Sequence, residues 1–301
     1  MASWAELLEE LHEHEDKDGK VVPGLSFSEL RLKYLANLHS CTNRAIIAYY
    51  SGWLKDPSRP NLEINDSDMT GFMQCLKGID CQHGLDLILH TPGGAPTAAE
   101  GIVNYLHAKF GRDIRIVVPQ MAMSAGTMLA CSAKSIVMGK QSCLGPIDPQ
   151  YGGVPAYNIK AEYEAAKQNL DANPQSRTYW EMQLSRYPRA FYYTVCDGIQ
   201  LSENLAGEWL VKYMFGSLSR TEAFEKAKKI LTRLNNNNKS HLRHFGIEKC
   251  KDLGFVIEEL EADNGLQDAV LSIHHAFTIS FDQERHAKII MNHLGARYFV
   301  S

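Results

Sequence analysis

Residues 85–138 read LDLILHTPGGAPTAAEGIVNYLHAKFGRDIRIVVPQMAMSAGTMLACSAKSIVM. Leu85-Asp-Leu-Ile-Leu-His90 has the length and apolar content of a strand, and it runs directly into Thr91-Pro-Gly-Gly94. A helix is expected from Thr97, because Thr97-Ala-Ala-Glu100 has capping-box spacing, in which the two side chains satisfy each other's backbone donors. Ile102, Val103, Leu106 and Phe110 give that helix an apolar stripe, and Gly111 can end it. Ile114-Arg-Ile-Val-Val118 is a second strand, and 119–123 is a turn. A short helix of small residues over 124–133 leads to a third strand over 134–138. Strand–helix–strand–helix–strand order argues for an α/β fold.

Outward from this block, residues 4–12 read as a surface helix and 13–20 as a charged linker. Residues 27–39 carry helical spacing, 44–50 are a buried strand, and 66–76 are a helix. On the other side, Gly145-Pro-Ile-Asp-Pro149 and Gly152-Gly153 make a turn-rich loop. Helical patterns fill 155–234, and the asparagine run 235–238 reads as an exposed loop. A strand over 255–260, a helix over 266–278, a linker and a final helical segment complete the chain. The expected division is an N-terminal helical segment (1–40), a core (41–260) and a C-terminal helical extension (261–301).

The chain has 301 residues, 45% hydrophobic and 22% charged, enough for a sizeable core and against disorder. A net charge of −4 gives no basic excess for nucleic acid or an anionic membrane. Seven cysteines at unrelated spacings fit neither a zinc ribbon nor a disulfide framework. The N-terminus is acidic and amphipathic, unlike a secretory signal. No apolar run approaches the ~20 residues of a membrane span. A soluble, cytoplasmic protein without cofactor or metal is expected.

Acyl transfer needs a nucleophile, a base and donors for an oxyanion. Gly93 and Gly94 lie between a strand and a helix, where glycine admits positive φ and close approach of a ligand to the backbone. The same pair can be a plain turn. Ser124, in Met123-Ser-Ala-Gly126, also lies between strand and helix. Its hydroxyl can project beside small neighbours, with the Ala125 N–H as a second donor, or it can simply cap the helix. Lys160 and Lys167 fall on the helix that Pro155 is positioned to start. They border the apolar face of Ala156, Ile159, Tyr163, Ala166 and Leu170, where desolvation would favour a neutral amine. Either can equally be a surface lysine laying its stem over apolar neighbours. The two lie about 10 Å apart along the helix, so one at most reaches Ser124.

Together, Thr91-Pro-Gly-Gly94, Ser124-Ala-Gly-Thr127 and Gly145-Pro-Ile-Asp-Pro-Gln150 resemble the serine dehydrogenase proteinase family. That family is related to signal-peptide peptidase A and more distantly to the Clp protease. The resemblance continues through Tyr49-Tyr-Ser-Gly-Trp53 and His274-His-Ala-Phe277. It implies a Clp protease/crotonase-like core and peptide-bond hydrolysis through an acyl-enzyme on Ser124. It carries the oxyanion hole onto the backbone of Gly94 and Ala125, with Gly93 beside them. It implies a Ser-Lys dyad with Lys167 as base and Lys160 in reserve. It also implies a homo-oligomer acting on peptide or unfolded protein, with residues 202–215 and 266–278 as contact helices. Many relatives are membrane-anchored, from which this chain departs.

Other groups carry less. His241 and His244 with Cys250 lack a fourth zinc ligand. Adjacent His274 and His275 face different ways on a helix, as packing residues. Asp148 reads as shaping its loop, with a catalytic orienting role as the alternative. The aromatic residues of 187–193 read as core, with a substrate-binding wall or a subunit contact as the alternatives. Two competing functions remain: an acyl-CoA hydratase or hydrolase of the crotonase type, and a catalytically silent peptide-binding assembly subunit.

Overall fold

The structure, a computed structural model, describes residues 3–12, 14–15, 21–235 and 243–301. Its helices and main strands follow in chain order as α1 (Trp4–Leu11), α2 (Phe27–Thr42), β1 (Ala45–Ser51), α3 (Asp68–Leu76) and β2 (Leu85–His90). Next come α4 (Pro96–Phe110), β3 (Ile114–Val118), α5 (Ala125–Cys131), β4 (Ser135–Met138) and α6 (Ala156–Ala172). Then follow α7 (Arg177–Leu184), α8 (Phe191–Trp209), α9 (Arg220–Asn235), α10 (Ile247–Leu253) and β5 (Ile257–Glu259). The chain closes with α11 (Asn264–Gln283), β6 (Lys288–Asn292) and β7 (Arg297–Val300).

One seven-stranded sheet runs in the order β5-β4-β3-β2-β1-β6-β7. β1 to β5 are mutually parallel, and β6 and β7 add an antiparallel edge. The central strands are buried along their whole length, as near-continuous apolar runs require when helices cover both faces of a sheet. Alternation sends Ile47, Tyr49, Leu87 and Leu89 into one core, with α3, α4, α5, α8, α9 and α10. It sends Ile46, Ala48, Tyr50 and Ile88 into the other, with α1, α2 and α11. The fold is thus α/β, with a largely helical stretch from α6 to α10.

Three local expectations are corrected. The final segment is not helical: β6 pairs antiparallel with β1, so 288–300 extends the main sheet. α4 begins at Pro96 after an Ala95 cap without a side-chain bond, so Thr97 lies inside the helix and no capping box forms. Proline at the first helical position needs no N–H partner there and has its φ preset. Asn235 is not exposed; it ends α9, 3% exposed, and donates from Nδ2 to Glu203 Oε1 at 3.2 Å. The remainder of the asparagine run and most of the expected 13–20 linker lie outside the described residues. The helices expected to join copies bury their apolar faces within the chain, through Trp209 and Leu210 on one side and Ile273 and Phe277 on the other.

His274 and His275 do face different ways. His275 meets Trp4 at 6.0 Å, whereas His274 packs against Tyr50 and His90 beneath the sheet. Burial pushes the His274 imidazole down from 6.5 to about 4, and burial also lowers that of His90. The unfolded chain therefore binds a proton on His274 at a pH where the folded chain does not. Stability contributed by this group is complete above pH 6.5 and declines as pH falls toward about 4. The loss from His274 alone approaches about 3 kcal/mol. Urea midpoints measured across this range should fall with acid, and less steeply in His274→Gln. Equal slopes in the two proteins would refute the assignment.

Candidate active site

Ser124 sits where the chain leaves the sheet and turns into α5. Its backbone has φ 50° and ψ −118°, a conformation that a residue with a Cβ adopts only under strain. The surrounding structure enforces it. Met123 donates its N–H to the Thr91 carbonyl at 3.0 Å, and Gly126 donates to the Met123 carbonyl at 2.7 Å. Thr127, fully buried, donates from its hydroxyl to the Ala122 carbonyl at 2.8 Å and accepts the Gly145 N–H at 2.9 Å. It thereby ties the serine turn to the 145–150 loop. A Cβ on Gly126 would lie 2.5 Å from Thr91 Cγ2, so only glycine lets α5 approach β2 this closely. Ser124 is partly exposed while its neighbours from Ala122 to Ala133 are buried. Its side chain forms no helix-capping bond, so the capping reading is not what the geometry shows.

The second turn, Thr91-Pro-Gly-Gly94, packs against the first. A Cβ on Gly93, at φ 104°, would lie 2.5 Å from Ser124 Cβ and 3.0 Å from the Ala125 nitrogen. Gly94, at φ 151°, lies against the backbone of Ile64. Ile64 donates to the Gly93 carbonyl at 2.7 Å and accepts the Ala95 N–H at 2.9 Å. This parallel bridge turns the Gly94 N–H away from Ile64. Gly93 departs from the oxyanion expectation, because its N–H already donates to Thr91 Oγ1 at 3.1 Å. Among the described residues, Gly94 N–H and Ala125 N–H donate to no protein acceptor. Ala125 opens α5, where the first N–H groups of a helix have no partner within it.

Both turns face a cavity of about 490 Å³. Gly94, Ser124 and Met128 form one wall, Ile147, Pro149 and Tyr151 another, and Leu201 of α8 closes the side. Asp148 shapes the second wall: it is buried and accepts Gln150 Nε2 at 2.8 Å. The aromatic patch is a small core of its own, in which Tyr163, Tyr187 and Phe191 pack on Ile159 and Val195 between α6 and α8.

The lysines are not brought to this cavity. Lys167 lies on the exposed side of α6, so the expected desolvation is not met. Lys160 faces Glu164 of the same helix at 3.8 Å, with 38% of its side chain exposed. Neither lines the cavity around Ser124. His244 is exposed whereas Cys250 is buried, and His241 lies outside the described residues. Among the described residues no cluster of three metal-ligating side chains forms, and no helix is long and apolar enough to cross a membrane.

Sequence reasoning missed the threonines. Thr91 binds both turns at once, through its backbone to 121–123 and its hydroxyl to Gly93. Its place directly before Pro-Gly-Gly was the available signal.

Residues 52–177 match the family described as ClpP-like SDH-type serine proteinase. An uncharacterized protein of Methanocaldococcus jannaschii is 33% identical over 147 residues, covering 46% of this chain and 50% of its own length. A second uncharacterized protein of that organism is 30% identical over 173 residues, covering 58% and 51%. The chain thus spans about half the length of these curated relatives. Among solved structures, a mutant of a membrane-bound stomatin-specific protease aligns with a TM-score of 0.36 and 15% identity, covering 69% of this chain and 79% of that one. The matched segment contains both glycines of the first turn, Ser124, the 145–150 loop and both lysines. Residues 52–177 are thus similar to the ClpP-like SDH-type serine proteinases.

Proposed function

We propose that this protein is a serine peptidase that cleaves peptide bonds through an acyl-enzyme on Ser124. The observation that carries the reading is a partly exposed serine at positive φ, facing a cavity beside two undonated backbone N–H groups. In the proposed step, Ser124 Oγ attacks the peptide carbonyl while a base takes its proton. The Gly94 and Ala125 amides donate to the oxygen that becomes negative. The proton then passes to the leaving amine, and water releases the acyl group. Gly93 serves as the close-packed hinge of the turn rather than as a donor.

Lys167 remains the proposed base and Lys160 its reserve, on the family resemblance and on their place after the 145–150 loop. With Lys167 exposed, a lysine-based step requires the 156–172 helix to bring its amine to the cavity. Assembly of identical copies around peptide or unfolded protein, in the cytoplasm, belongs to the same proposal.

The test is covalent labelling with a fluorophosphonate, read by intact mass and by mapping the adduct. One adduct on Ser124 supports the reading; absence of an adduct turns it toward a silent binding subunit. Lys167→Ala should slow labelling by at least roughly 10²-fold. Unchanged labelling in that variant moves the base to Lys160, tested in the same way.

A further inference from the structure

Beneath the two turns lies a buried charged chain that the peptidase reading does not use. Lys288 and Asp68 are both fully buried, from β6 and the first turn of α3, and pair at 2.5 Å through Nζ and Oδ1. Asp68 Oδ2 accepts the Tyr49 hydroxyl at 2.8 Å and the Asn65 N–H at 3.1 Å. Lys288 Nζ donates to the Glu63 carbonyl at 2.8 Å. Burying two charges is costly unless each is paired and further hydrogen-bonded, and here both conditions are met.

The chain of contacts ends on Gly93 and Gly94 by two routes. On one route Tyr49, 1% exposed, faces the Thr91 hydroxyl. That hydroxyl oxygen accepts the Gly93 N–H. On the other route Lys288 holds Glu63 and Asp68 holds Asn65, the residues on either side of Ile64. Ile64 in turn clamps the Gly93 carbonyl and the Ala95 N–H. Every polar backbone group next to Gly94 is thereby fixed, and its own N–H is left facing away from the clamp.

We propose that Lys288, Asp68, Tyr49 and Thr91 are positioning residues that hold the Gly93–Gly94 turn with the Gly94 amide aimed at the oxygen of the bond attacked by Ser124. The inference rests on the reading of Ser124 as nucleophile. It extends that reading to a strand more than 160 residues from Ser124 in the sequence. A preorganised donor needs such support, because a turn that wanders loses its alignment with the developing charge.

The test uses the full chain with Tyr49→Phe, which deletes one hydroxyl, and Asp68→Asn, which uncouples Lys288. Amide hydrogen exchange over residues 91–99 and the saturation kinetics of fluorophosphonate labelling are measured on both. The expected result is faster exchange at 91–95 with the 114–118 strand unchanged. The maximal labelling rate should fall by about 10- to 100-fold, with the half-saturating probe concentration unchanged. Should Asp68→Asn fail to fold, Tyr49→Phe carries the test alone. Unaltered exchange at 91–95 overturns the proposal, and so does an unaltered labelling rate in a protein that labels at Ser124. A wild-type protein that gains no adduct at Ser124 defeats the nucleophile reading and, with it, the role assigned to the turn in attack. The exchange arm then shows separately whether the network holds the turn.

Discussion

Ser124→Ala is expected to lower peptide hydrolysis by roughly 10⁴-fold or more while leaving the fold intact. The large factor follows from the chemistry proposed for the site. Without Oγ no acyl-enzyme forms, and only the oxyanion donors and the binding cavity remain to assist water. Those parts are untouched by the substitution: Ala125, Gly126 and Thr127 keep their packing, and the Thr91–Met123 backbone bond does not involve the hydroxyl. A companion variant separates chemistry from strain. Ser124→Gly removes the same nucleophile but accepts φ 50° freely. It should be equally inactive and more stable than Ser124→Ala by about 1 kcal/mol. Hydrolysis rates and urea midpoints for the three proteins check both statements. Retention of more than a tenth of the wild-type rate in Ser124→Ala would place the nucleophile elsewhere.

The largest stability effect is expected at the opposite end of the strands. Asp86 is fully buried at the start of β2 and accepts two hydrogen bonds from Arg115, at 2.8 and 2.7 Å, and one from Arg44, at 2.6 Å. Arg115 continues to Glu258 at 2.8 Å and Arg44 to Asp113 at 3.0 Å, so one carboxylate ties together β1, β2, β3 and β5. Removing it leaves two guanidinium groups, each less than one-fifth exposed, without their central partner. Asp86→Ala should therefore destabilise the fold by about 3–5 kcal/mol, far beyond a surface ion pair. Activity per folded molecule should stay near wild type, because Ser124 and Gly94 follow the other ends of the strands. A loss below about 1 kcal/mol would mean that water replaces the carboxylate at little cost.

Legibility differed sharply between these sites. The serine turn was readable because its requirements are local. A strand, a turn, a serine and two small residues lie within one short stretch, and so do Pro92 and the two glycines. The strand ends were readable for the same reason, since Leu85–His90 and Ile114–Val118 are apolar runs that only a doubly covered sheet can bury. Gly93 was expected beside the oxyanion donors, and its N–H is taken up by the Thr91 hydroxyl. Which N–H a turn leaves free depends on the Thr91 hydroxyl and on Ile64, a residue from another part of the chain.

By itself, the sequence determined the α/β order, the position of the two turns and the identity of the candidate nucleophile, because each is set by residues adjacent along the chain. Only the tertiary structure decided that 288–300 is sheet. Lys288-Ile-Ile-Met-Asn292 is too short and too mixed to show a period, and β1 supplies the partner that makes it a strand. Only the tertiary structure revealed the buried Lys288–Asp68 pair, and it alone put Lys167 on an exposed helix face. Burial of a charge depends on what arrives from elsewhere, and Lys288 meets Glu63 across 225 positions.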